Sequence, residues 1–100
     1  NARYLEDFLY DAALQNPEIR HVVLQCSAVN LIDASALESL ESLSQRLQDA
    51  GVTLHLSEVK GPVMDALKRV DFIDHMSGRI YLNHYAALSE LDPHTTLAGK

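Results

Sequence analysis

The sequence predicts an α/β domain, a small sheet of parallel strands with alternating helices. Three observations carry that expectation. Apolar residues recur at helical spacing in "YLEDFLYDAAL" and again in "ASALESLESLSQRLQDA". Two short runs, "HVVLQC" and "VTLHL", are β-branched or alternate by twos, and they sit between helical stretches. The links between them are short, which favours parallel pairing through right-handed crossovers.

Each element has its own signals. The first helix is marked by Tyr4, Leu5, Phe8, Leu9 and Ala12, with Asn1 placed to cap it and Asn16-Pro17 to end it. His21 to Cys26 reads as a buried strand, and "AVNLID" as the loop leaving it. From Ala34 to Ala50 the helical period returns. Leu37, Leu40, Leu43 (or Ser44), Leu47 and Ala50 face one way, and Glu38, Glu41, Gln45 and Gln48 another. Gly51 supplies the left-handed stop. Val52 to Leu56 is a second strand. A third helix follows "EVKGPV", with Pro62 at its first helical position, where the missing N–H and fixed φ suit it, and is lined by Val63, Leu67 and Val70. "RIYLN" is a third short strand. Asn83 caps a last helix carrying Tyr85, Leu88 and Leu91, and residues 92–100 read as a flexible tail or an appended remnant. Residues 1–91 then form one domain, as a chain of 100 residues allows. Three strands make a thin sheet, so one or two further strands are expected ahead of Asn1.

Composition narrows the function. The net charge is −6, and the eight Lys and Arg residues are scattered, which argues against nucleic acid as a partner. Cys26 is the only cysteine, so no internal disulfide forms, and its place at the end of an apolar run reads as a small buried hydrophobe. No stretch approaches the roughly 20 apolar residues of a membrane helix. Neither glycine-rich phosphate loop is present, nor a G-x-S-x-G elbow. His21, His55, His75, His84 and His94 show no metal-ligand spacing, so no metal and no cofactor is expected. The chain reads as noncatalytic.

The segment "NLIDASALESL" holds the candidate site. Locally, Ser35 to Glu38 fits the capping box S-x-x-E, or else Asp33 caps and Ser35 lies in the first turn. Its position also suits a site, because α/β folds place theirs where a parallel strand gives way to a helix. A phosphate added at Ser35 would meet backbone N–H groups and the positive end of the helix dipole. Asp33, Ala34, Ser35 and Glu38 together are the expected partner surface, with Ser35 and Asp33 as the regulatory pair.

Three long segments resemble the STAS domain, shared by sulfate transporters and anti-sigma factor antagonists. They are "VVLQCSAVNLIDASALESL", "RLQDAGVTLHLSEVKGPVMDALKRVDFID" and "RIYLN" with its closing helix. The antagonists carry a D-S-S-G loop whose second serine is phosphorylated. Asp33 and Ser35 match its aspartate and that serine, while Ala34 and Ala36 replace the first serine and the glycine. "VKGPVMDALKR" resembles the G-P-V-x-D-x-L segment of the C-terminal STAS domains of SulP anion permeases. That resemblance implies a regulatory domain, itself soluble, on the cytoplasmic face of a secondary transporter of sulfate or a related anion. It would be partnered by the transporter's own transmembrane domain, with a homodimer, a cytosolic protein or a nucleotide as further partners. The alternative it implies is a free-standing anti-sigma factor antagonist switched by phosphorylation at Ser35.

Overall fold

A computed structural model describes residues 2–99 of the chain. In chain order these form α1 (Ala2–Gln15), β1 (His21–Gln25), α2 (Ala34–Asp49), β2 (Thr53–Ser57), α3 (Gly61–Arg69), α4 (Phe72–His75), β3 (Ile80–Tyr81), α5 (His84–Glu90) and β4 (Thr96–Gly99). The strands make one sheet of order β3-β2-β1-β4, and every pairing is parallel. The expected α/β architecture is therefore present, with one strand more than the sequence reading assigned. The strands expected ahead of Asn1, and the Asn1 cap, lie outside the described residues.

Strand register explains the two layers. Alternation puts Val22, Leu24, Leu54, Leu56, Ile80 and Leu97 on one face of the sheet. Helices α1 to α4 cover that face, and Leu9, Ala13, Leu43, Leu47, Val63, Leu67 and Phe72 join it in the main core. The opposite face carries His21, Val23, Thr53, His55, Ser57, Tyr81 and Thr96. Helix α5 lies there, with Ala87 buried against Val23 and Tyr81. Handedness accounts for the split. The chain runs outward from β1 to β2 to β3, then returns across the sheet to β4. A right-handed crossover made in the reverse direction must place its helix on the other face.

Several local expectations are corrected. Thr96–Gly99 is a strand beside β1 where a flexible tail was expected, because the sheet edge there supplies backbone partners that a local reading cannot see. The third helix stops at Arg69, and Val70 is exposed rather than lining it. Asp71 takes the left-handed φ of 56° that glycine usually supplies, and α4 starts immediately after it. In the last helix Tyr85 and Leu88 face solvent, and the small Ala87 faces the sheet. In α1, Tyr4, Leu5 and Phe8 are exposed, while Leu9, Ala13 and Glu6 are buried. Leu40 is half-buried at the margin of the core, whereas Leu47 is fully enclosed.

Buried Glu6 ties α1 to α2. Ser42 Oγ donates to Glu6 Oε2 at 2.7 Å, and Arg46 Nη1 reaches the same oxygen at 2.8 Å. Arg46 also pairs with Asp7 at 2.8 Å and lies 4.0 Å from the centre of the Tyr10 ring. Burial alone would push the Glu6 carboxyl up. The Ser42 and Arg46 hydrogen bonds outweigh that, so its pKa falls below the usual carboxylate value.

Candidate functional site

The strand-to-helix junction after β1 is built as the sequence suggests, with one alternative selected. Cys26 closes β1 by donating its backbone N–H to Ser57 O at 2.8 Å. The chain then crosses the carboxyl edge of the sheet and enters α2 at Asp33. Asp33 Oδ1 accepts from the Ala36 N–H at 2.8 Å, so Asp33 is the N-cap. Ser35 consequently sits inside the first turn, and the capping box from Ser35 to Glu38 is not the device used. Asp33, Ala34, Ser35 and Glu38 are all exposed at this helix start. With its cap supplied by Asp33, the helix leaves Ser35 exposed in its first turn.

An apolar cavity of about 250 Å³ opens next to this junction. Leu5, Leu24, Cys26, Ile32, Leu40 and Leu43 contribute to its wall. Leu31, 80% exposed, stands at its rim, and Val29 is exposed beside it. Sequence reading treated "AVNLID" as a plain connector and missed this apolar margin, although its Val29-Leu31-Ile32 pattern was the available signal. Cys26 is buried, as expected, and burial pushes its thiol up to about 11, far from the thiolate range needed for reactivity.

The other polar groups sit on the far face of the sheet. Ser57 Oγ lies 2.8 Å from His84 Nδ1. Glu58 Oε2 accepts from the His84 backbone N–H at 3.0 Å. Ser57 is fully buried, so this pair anchors the start of α5 and offers no nucleophile to a substrate. His21 and His55, read from the sequence as isolated, are brought to 3.0 Å by the β1–β2 register. Among the described residues no three His, Cys, Asp or Glu side chains converge as metal ligands. Among them, too, no helix is long and apolar enough to cross a membrane.

Comparison with known proteins places this geometry. No curated protein matches the chain significantly in sequence. Among solved structures it is similar to a protein of Thermotoga maritima described as a candidate anti-sigma factor antagonist. The TM-score is 0.75 at 19% identity, over 90% of this chain and 74% of that one. That likeness speaks for the fold. The family model for the STAS domain matches residues 1–87, and the chain belongs to the STAS family.

Proposed function

We propose that this chain is a noncatalytic regulatory module that binds a protein partner through the start of α2, with Ser35 as the residue whose charge sets the affinity. The observation that carries this reading is the division of labour at the junction. Asp33 does the capping, so exposed Ser35 is not needed to hold the helix. A residue spared from folding at the carboxyl edge of a parallel sheet is available for recognition. Phosphate there would add about −1.5 to −2 charges next to Asp33 and change what can approach. On this reading the chain acts as an anti-sigma factor antagonist, in line with its structural neighbour.

One observation favours a second reading. "VKGPVMDALKR" forms the entry and body of α3, and it is this segment that resembles the SulP permeases. Under that reading the partner is a transmembrane anion-transport domain, and the same surface regulates uptake from the cytoplasmic side of the membrane.

Ser35→Asp in the full-length protein tests both. The substitution keeps a residue suited to a first helical turn, so the fold is expected to survive with its melting temperature nearly unchanged. A several-fold change in sigma-dependent transcription supports the antagonist, and a several-fold change in anion uptake at matched membrane levels supports the transporter domain. No change in either output, with the fold intact, overturns the proposal.

A further inference from the structure

We propose that His21 and His55 form an acid-sensitive latch that holds the β3–α5 edge of the domain to the sheet. One backbone donor fixes its polarity. The Arg79 N–H donates to His55 Nδ1 at 3.0 Å, so that nitrogen carries no proton. A neutral imidazole then holds its proton on Nε2. His55 Nε2 is 3.0 Å from His21 Nδ1, so His55 donates and His21 accepts. His21 in turn keeps its proton on Nε2. A further proton has no acceptor within this chain of bonds. On His21 Nδ1 it would face the His55 N–H, and on His55 Nδ1 it would face the Arg79 N–H. Either way one link breaks.

The surroundings favour the neutral form of His55. From β1, His21 faces His55 with ring centroids 5.2 Å apart, and from β3 the Tyr81 ring lies at 5.7 Å. Arg79 approaches from the turn before β3 and pairs with Glu90 of α5 at 3.1 Å. On the β4 side, Thr96 is in register with His21, and its buried hydroxyl has no hydrogen-bond partner among the described residues. Burial is the main influence on His55, followed by His21. Arg79 adds to both, and Glu90 opposes them. The result is a pKa lowered from 6.5 to about 4. The folded value lies below the unfolded one. The contribution of the latch is therefore complete above about pH 6.5 and is lost as pH falls towards 4.

The held element is slight. Strand β3 has two residues, in parallel register with Leu56 and Ser57 of β2, and at its margins Leu56 N–H reaches Arg79 O at 3.0 Å and Glu58 N–H reaches Tyr81 O at 3.3 Å. The bond from Arg79 N–H to His55 is a further, side-chain tie across the same gap. Gly78 lets the chain come this close, because a Cβ there would lie 2.1 Å from Leu54 O and 2.7 Å from His55 Nδ1. Release of the tie loosens β3, and with it Tyr81, against which Ala87 of α5 packs.

Nitrogen-resolved histidine NMR and amide hydrogen exchange on the 100-residue chain test the latch. His55 is expected as the Nε2–H tautomer at pH 7 and still neutral at pH 5. Exchange protection of the Arg79 amide, corrected for intrinsic rate, is expected to fall roughly ten- to thirtyfold between pH 7 and pH 5. In His55→Asn, which keeps an acceptor near the Nδ1 position but cannot titrate, it is expected to change less than about twofold. Titration of His55 near 6.5 in the folded chain overturns the proposal. So does pH-independent protection of Arg79 in the wild type, or an equal loss in His55→Asn. If the variant fails to fold, the wild-type tautomers and titration still decide.

Discussion

Two neighbouring residues at the start of α2 make opposite predictions although both are polar and exposed. Asp33 Oδ1 satisfies the Ala36 N–H, so Asp33→Ala removes the cap and is expected to cost about 0.5–2 kcal/mol. Ser35→Ala removes no capping bond and is expected to shift stability by less than about 0.5 kcal/mol. Urea denaturation of the two variants checks the pair. A larger loss from Ser35→Ala would restore the capping box and remove the reason for treating Ser35 as spare. The sequence narrowed the helix start to this choice but could not make it, since S-x-x-E and D-x-x-A both satisfy capping chemistry locally. The His21–His55 contact was beyond local reading. The two lie 34 residues apart, and only the register of β1 on β2 joins them.

At the scale of elements, α1 stays on the domain through a thin apolar stripe and a polar cluster. Leu9 and Ala13 are its buried apolar residues, and Glu6 with Ser42 and Arg46 forms the cluster. Arg46→Ala leaves the Glu6 carboxylate in a buried site without its cation. The guanidinium is partly solvated, so the expected loss is moderate and smaller than that of a core truncation, measured by thermal or chemical melts. An unchanged melting temperature would show that the Arg46 pairing adds little to the packing of Leu9 and Ala13. In α2 the core face also predicts an ordering. Leu47→Ala is expected to cost about 2–5 kcal/mol, because the side chain is fully enclosed. Leu40→Ala is expected to cost less, about 1–2 kcal/mol, since half-buried Leu40 already borders a cavity. Equal losses would mean that the cavity wall is as tightly packed as the core.

Across the whole molecule, what was legible followed from how each element is specified. Strands β1 and β2 and helix α2 carry their instructions in their own residues: alternation, β-branching, leucine spacing, and Gly51 at φ 78° as the stop. Helix α4 carries no such sign, because its left-handed break is made by Asp71, a residue that tolerates the conformation without advertising it. Strand β4 was illegible because "TLAG" has little strand character, and the open edge of β1 confers it. The large side chains of α5 misled, since Ala87 fits closely on the sheet while Tyr85 does not. The candidate site was legible as a place, from Asp33 and Ser35 after an apolar strand. Its apolar margin was signalled by Val29, Leu31 and Ile32, while the adjoining cavity needed the packing of α1 against α2 to appear.

The central claim is that the exposed start of α2 is where a partner docks. Site-specific photocrosslinking in cells measures this most directly, with p-benzoylphenylalanine in place of Ser35 in one variant and in place of Gln45, exposed further along α2, in another. The account predicts one dominant adduct from position 35 that is absent from position 45 and is lost on adding Leu31→Asp, which places charge on the apolar rim. Equal labelling from both positions, or an adduct from 45 alone, would contradict it.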